Sequence, residues 1–463
     1  MLSKKQSEGI LQKALDLGAD FAELYFEDRE DISVNYSETV DNVAHIRLYG
    51  VGVYLISGGR GVYVYTNELG ERALHDAVVR AAQLLGTSAG NAGVRPLTLR
   101  VSLNPCPVAT YPGAVGLEQK IALLREAHLA AKAVTPSLRS IQLAYFDRDQ
   151  RVTIFNSEGV FAEDRRVTSR VRFSPLVSNE AGAISYFSDY CAPAGFETFS
   201  SGRHIARMEC VIRDMEGSLS AREAPSSRIP VILEGGSCTG TFFHEACGHQ
   251  LETTELLRGG MFWDRRGEKI ATEKVTLIDD GTMSSMYGSS RFDDEGMPRQ
   301  KNVLIEKGIL RSFLVDRLGG VRLNLPRSGS GRRQDYAHAP GARMSNTYLA
   351  PGTDDDDEII RDTKEGLYVT ALGGGTGGRE FSLMATVAYW IKNGKIDHRV
   401  KGAMLLGRGD ETMKKIDRVG KTFVTEENGG SFCGAESGFC ATTTSGPRMR
   451  ISEMVVGGKG GAL

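Results

Sequence analysis

The sequence predicts an α+β protein: an N-terminal sheet-and-helix domain, then a strand-rich, barrel-like C-terminal domain that carries one chemically loaded helix. Three observations lead there. Strand and helix signals in the first half come in blocks, which favours a sheet with helices on one face over a doubly wound parallel sheet. A Ser- and Pro-rich stretch without apolar period, SAREAPSSRIP at 220–230, divides the chain into 1–225 and 226–463. Beyond it helical periodicity is scarce, and strands separated by Gly, Asn and Asp turns suit an antiparallel sheet or barrel.

Residues 5–18 read as an amphipathic helix, with Ile10, Leu11, Ala14, Leu15 and Leu17 on one side and Gly18 as its stop. Strands follow at 21–27 and 32–36. The runs 46–56 and 61–66 flank the turn Ser57-Gly58-Gly59-Arg60 as a hairpin. Helical spacing returns at 69–85 and 117–133. Strands resume at 140–146, 152–156, 160–173 and 183–187, before a helix at 204–219. In the second half strands are expected at 274–278, 303–306, 367–370, 381–392 and 449–456, and a helix at 358–365.

Hydrophobic residues make up 41% and charged residues 25% of the 463, ordinary globular usage for a chain long enough for two or three domains. A formal charge of −2 supplies no basic field for phosphate backbones, so nucleic acid is set aside as a primary partner. Near the N-terminus Gln12, Lys13 and Asp16 interrupt the apolar residues, so no signal-peptide core forms. No segment has the apolar length of a membrane span, and a cytoplasmic protein without a membrane partner is the expectation. Seven cysteines, an odd number scattered over a long chain, are not a secreted disulfide framework and read mostly as small buried side chains.

The loaded helix is TGTFFHEACGHQLET at 239–253, where His244, Glu245, Cys247 and His249 crowd into one or two turns. The common two-histidine zinc motif spaces its imidazoles four residues apart, about 40° around a helix, whereas a spacing of five leaves them about 140° apart. Closing both rings on one ion therefore requires a distorted turn. Gly248 lets the backbone loosen into a π-type turn. The plain alternative is two unrelated helix histidines beside a solvated glutamate. Cys247, three residues after His244, shares its face and offers either a ligand, a redox thiol or a small buried side chain. Glu252, three after His249, is either a partner for a ligand imidazole or a solvated helix residue.

PVILEGGSCTGTFFHEACGHQLE resembles the core of the TldD/PmbA family of metallopeptidases, specifically its TldD-like members with HExxxH. Similar features appear in VTLIDDGT at 275–282, GRRQDYAHAPGARMSNTYL at 331–349, EGLYVTALGGGTGG at 365–378, AYWIKNGKI ending at Ile396, VVGG at 455–458 and the N-terminal GVGVYLISGGRGVYVYTNEL. The resemblance implies metal ligation by His244, His249 and a cysteine near the C-terminus, with Glu245 as catalytic acid/base. Cys433-Gly434, with Pro447 downstream, fits that cysteine better than Cys440-Ala441, although AESGFCATTTSG departs from the family's Val- and Pro-rich segment.

A His-His-Cys set leaves one tetrahedral position open, the arrangement of a catalytic zinc site. The expected cofactor is one zinc ion per chain, and the expected activity is hydrolysis of unfolded or short peptides, with Glu245 moving the proton. Tyr336, His338 and Arg343, in the well-matched segment 331–349, are candidate substrate or oxyanion contacts. The resemblance further implies a homodimer or a heterodimer with a metal-free relative. The alternative is a peptide-binding or modulatory subunit whose metal is structural. Three decoys are discounted. DDDDE at 354–358 reads as acidic loading of a helix start, GGGTGG at 373–378 lacks the Lys-Ser/Thr of a phosphate loop, and Gly420-Lys421-Thr422 lacks the glycine five residues earlier.

Overall fold

In the computed structural model of the chain, residues 2–426 and 428–459 are described. Alternating residues in four long strands make the first sheet. Phe21–Tyr36 pairs antiparallel with Val40–Ser57 on one side and Leu138–Asn156 on the other, and Arg60–Thr66 and Val160–Asn179 extend the two edges. The segments expected as separate strands, 21–27 with 32–36 and 140–146 with 152–156, are continuous. Their polar middles pair across the sheet instead of turning: Arg148 meets Asp31 at 2.8 Å, Arg47 meets Asp28 at 3.0 Å and Arg165 meets Asp149 at 2.8 Å.

Alternation places Ala22, Leu24 and Phe26 under the helices Lys4–Asp16 and Glu71–Leu85, and Val34 and Tyr36, on the same strand face, under Leu117–Lys132 and Arg203–Leu219. All four helices thus lie on one face, as the blocked pattern predicts. The opposite face, bearing Glu23, Tyr25, Glu27 and Arg29, meets the C-terminal half. Arg333 is the centre of that contact. Its buried guanidinium donates to Glu23 Oε1 at 2.6 Å and to the Asp294 carbonyl at 2.7 Å, and lies 4.2 Å over the Tyr25 ring.

In the C-terminal half Ser227–Leu233, Met449–Gly457, Ala403–Arg408, Glu380–Lys392 and Glu365–Thr376 are neighbours in that order, and the last pairs back to the first. A five-stranded barrel closes. A second sheet runs Ile309–Leu310, Lys301–Glu306, Leu277–Asp280, Asn346–Leu349, Gly438–Ser445, Gly430–Ala435. The pairing is not purely antiparallel as expected: Ser227–Leu233 is parallel to Glu365–Thr376, and Asn346–Leu349 to Gly438–Ser445. Parallel neighbours need long crossovers, and the connection from 233 to 365 is long enough to contain most of the second sheet.

The helix Ser237–Phe243 is wedged between barrel and second sheet. Phe242 packs edge-on against Phe381 of the barrel at 5.4 Å, and a side chain at Gly240 would collide with the backbone of Ser445. A further helix, Arg317–Leu323, was hidden in the sequence by Gly319 and Gly320. Asp316 caps it through the Gly319 N–H at 3.3 Å. The acidic run behaves as read: Asp355 caps Asp356–Arg361 through the amides of Asp357 and Glu358. Among the described residues no helix is long and apolar enough to cross a membrane.

Replacing Arg333 by Ala strips the buried Glu23 carboxylate of its partner. A loss of about 3–5 kcal/mol is expected for breaking one side of a buried pair, measured as a lower denaturant midpoint; a change under about 0.5 kcal/mol, the size of an ordinary surface substitution, would contradict this contact.

Candidate metal centre

Strand Ser227–Leu233 leaves the barrel through Glu234-Gly235-Gly236. Gly236, at φ +83, makes the left-handed step that turns the chain into the helix Ser237–Phe243. The regular helix stops at His244. Residues His244–Gly248 form a π turn, the distortion that the five-residue spacing requires, and His249–Leu251 tightens into a 3₁₀ turn. Gly248 itself keeps ordinary right-handed angles, φ −56 and ψ −51. Its glycine is needed for space rather than backbone freedom, because the Met344 sulfur occupies the volume of a Cβ.

The widened turn swings the two imidazoles together, with ring centroids 4.9 Å apart and planes at 86°. Cys433 approaches from Gly430–Ala435, the outer strand of the second sheet, and its Sγ lies 3.2 Å from Nε2 of both His244 and His249. The three donor atoms lie within 4.8 Å of one another. A tetrahedral zinc with bonds of about 2.0–2.1 Å to nitrogen and 2.3 Å to sulfur holds N and S about 3.5 Å apart. The observed 3.2 Å on each side of the sulfur is close to that separation, and the donor set of two imidazoles and a thiolate is one that zinc takes.

Glu252 stands behind His249. It is buried, its Oε2 lies 3.2 Å from His249 Nδ1, and its Oε1 accepts from the Met344 amide at 3.0 Å. Burial alone would lower the His249 pKa, but Glu252 and the Cys433 sulfur outweigh it and hold the imidazole well above its usual range. Burial would likewise raise Glu252, and His249 and then Arg343 bring it below the usual carboxylate value. Burial pushes the Cys433 thiol up, yet the two histidines prevail and draw it down to about 5.

Arg343, read from sequence as a substrate or oxyanion contact, does line the cleft, and it is also a buried clamp. It donates to the Cys433 carbonyl, to Gly438 O at 2.7 Å and to Ser437 Oγ at 3.1 Å, and its Nε lies 3.9 Å from Glu252. Tyr336 and His338 are not brought to the site. Tyr336 packs against the N-terminal sheet, with its amide on Glu27 at 2.7 Å and its carbonyl on Tyr63 OH at 2.7 Å, while His338 pairs with Asp335 at 2.7 Å. Cys247 turns away into the core and bonds the Phe243 carbonyl at 3.5 Å. Cys440 sits across the strand pair from Cys433, outside the donor group.

His244, His249, Cys433, Glu252 and Arg343 line a cleft of about 860 Å³. Glu245 opens onto it beside His244, and the chain at Gly377 presses so close that a Cβ there would lie 2.6 Å from Glu245 Oε2. The glycine run 373–378 forms one wall and residues 429–432 another. The N-terminal half supplies a third wall with Phe187, Ser188, Asp189 and Arg207. Arg207 reaches Glu426 at 2.8 Å, and Glu426 accepts the Ser237 amide at 3.0 Å. No spacing in the sequence signalled Arg207 or the Arg343 clamp, whereas the glycine run 373–378 reads as a place where backbone or substrate passes close, as Gly377 does at Glu245.

Residues 226–458 match the PmbA/TldA metallopeptidase C-terminal domain, residues 110–210 its central domain and residues 22–85 its domain 1. The chain is 31% identical to the metalloprotease TldD homolog of Haemophilus influenzae, covering 95% of this chain and 93% of the relative. It is 26% identical to the zinc metalloprotease TldD homolog of Saccharolobus solfataricus, covering 97% and 99%. Among solved structures, a protein of Thermotoga maritima described as a modulator of a DNA gyrase superposes with TM-score 0.77 at 17% identity, covering 98% and 100% of the two chains. TldE from Thermococcus kodakarensis does so with TM-score 0.74 at 16% identity, covering 97% and 99%. Both share this fold.

In metal-free protein, iodoacetamide labelling of Cys433 is expected to stay fast down to pH of about 5 and to fall below it, where the thiolate takes up a proton. The His249→Ala variant should move that midpoint up toward an ordinary thiol, about 8.5. A midpoint near 8.5 in the parent chain would contradict the arrangement.

Proposed function

The chain belongs to the PmbA/TldD family of metallopeptidases, and from that premise we propose that it is a zinc-dependent peptidase acting on unfolded or short peptides. The observation that carries the reading is the convergence of His244, His249 and Cys433 beside Glu245 on one cleft wall. His244, His249 and Cys433 would hold the ion, a donor set that suits a catalytic rather than a structural zinc. When bound, zinc supplies the Lewis acidity that activates water and polarises a peptide carbonyl.

The chain's own groups do the rest. Glu245 accepts the proton of the attacking water and returns it to the leaving amine, a transfer that needs a carboxylate open to the cleft and within reach of the ion. Glu252 fixes the His249 ring so that Nε2 faces the ion, and Arg343 fixes the strand bearing Cys433. The substrate lies extended along the glycine wall. On its edge away from Glu380–Lys392, Glu365–Thr376 pairs with Ser227–Leu233 only over Leu367–Val369, and beyond it the backbone at Gly373 and Gly374 lines the cleft, where a strand could add. Recognition through backbone favours unfolded or short peptides over particular side chains. We take the protein to work in the cytoplasm, as a homodimer or beside a metal-free relative.

The competing reading is a peptide-binding or modulatory subunit with a structural metal; a purely binding subunit has no use for Glu245. Glu245→Ala is expected to keep its zinc, read by metal analysis, and to lose about 10²- to 10⁴-fold in cleavage of an unstructured peptide. Unchanged turnover would overturn the role given to Glu245, and no cleavage by the zinc-loaded parent chain would favour the competing reading. Glu252→Gln should weaken zinc binding by about 10- to 100-fold in a chelator competition, as loss of a ligand's orienting partner does, and an unaltered affinity would remove Glu252 from the account.

A further inference from the structure

We propose that Cys433 and Cys440 are an oxidative modification site, forming a reversible disulfide with a hydroperoxide as oxidant and thereby withdrawing the thiolate from the metal centre. The proposal rests on the reading of Cys433 as a ligand and deepens it. The two cysteines face each other directly in the antiparallel pair formed by Gly430–Ala435 and Gly438–Ser445, a hairpin closed by Glu436 and Ser437. Directly opposed residues point to the same face with Cα atoms about 4.5–5.5 Å apart. A disulfide needs about 4.4–6.8 Å. Both thiols are free and buried, and Arg343 holds the hairpin at Cys433, Ser437 and Gly438.

Access decides the order of events. Among the cysteines of the described residues, Cys433 alone lines the cleft, where a small oxidant reaches it. Cys440 lies on the neighbouring strand, in contact with Arg343 at 3.9 Å, outside that cleft and on a much smaller cavity of about 90 Å³. The Cys433 sulfur attacks one oxygen of hydrogen peroxide, the O–O bond breaks, and water leaves with a sulfenic acid remaining on Cys433. The Cys440 sulfur attacks that sulfur, the S–O bond breaks, and a second water leaves. Two thiols give up two protons and two electrons, and one peroxide becomes two waters. A sulfur engaged in this bridge no longer donates as a thiolate, so bridging and metal ligation exclude one another. A dithiol reverses the bridge by exchange, whereas a lone oxidised Cys433 would proceed to sulfinic acid, which dithiols do not reduce.

The test treats the full chain, metal-free and zinc-loaded, with hydrogen peroxide, caps remaining thiols with N-ethylmaleimide and digests with trypsin. Both cysteines fall in one peptide, residues 422–448, with no Lys or Arg between Lys421 and Arg448. The expected peptide is unlabelled and lighter by two hydrogens, zinc leaves the loaded chain in step with it, and dithiothreitol reverses both changes. In Cys440→Val and Cys440→Ser, peroxide should instead leave Cys433 damaged beyond recovery by dithiothreitol. Oxygen adducts on Cys433 with Cys440 still labelled in the parent chain, or variants that recover as fully as the parent, would overturn the proposal. Because the bridge is read on metal-free protein, a chain that bridges but takes up no zinc would sink the metal reading alone.

Discussion

The centre depends on one buried carboxylate. Glu252 is 2% exposed, and an ion taken that far from water costs several kcal/mol unless its oxygens are satisfied. Both are: His249 Nδ1 lies at one, the Met344 amide at the other, and Arg343 stands 3.9 Å away. Arg343 continues the chain of contacts to the Cys433 carbonyl. A single polar path thus joins His249 to Cys433 across 184 residues of sequence, through the buried Glu252 and Arg343, with only His249 itself half-buried. Side chains so held are restricted before any ion arrives, so little rotamer freedom remains to be lost on binding.

Parts of this were legible in the sequence for physical reasons. His244, Glu245 and His249 sit within six residues, and helix arithmetic alone required the turn between the histidines to widen, as it does at His244–Gly248. The helices 4–16, 71–85, 117–132 and 203–219 announced themselves through unbroken apolar periods. Other features were silent because their causes are long-range. Charged residues in the middle of Phe21–Tyr36 look like a break until the opposing arginines are in place. Tyr336, His338 and Arg343 lie within eight residues of one another, yet Tyr336 faces the N-terminal sheet while Arg343 turns to the hairpin of Cys433. Nothing local distinguishes them. Gly248 reads locally as a point of flexibility, yet its actual constraint is the Met344 side chain, 96 positions later in the chain and invisible to any periodicity.

The N-terminal sheet is more than a neighbour of the centre. Its helix-free face holds Arg333 through Glu23, and its last helix sends Arg207 to Glu426, which in turn caps the amide of Ser237 at the start of the helix leading to His244. The cleft therefore has walls from both halves of the chain. Shape and chemistry are divided between them: donors and the Glu245 carboxylate come from the C-terminal half, and part of the enclosure comes from the N-terminal half. One relative in sequence is described as a zinc metalloprotease and one protein of the same fold as a modulator of a DNA gyrase, and the fold alone does not choose between such roles. The side chains at the π turn and on the outer strand of the second sheet carry the choice.

The most direct measurement is the zinc K-edge X-ray absorption spectrum of the loaded protein. Two imidazole nitrogens at about 2.0–2.1 Å, one sulfur at about 2.3 Å and one further light atom are the shell this account predicts. A shell with no sulfur, or with two, would contradict the assignment of His244, His249 and Cys433 as the ligands.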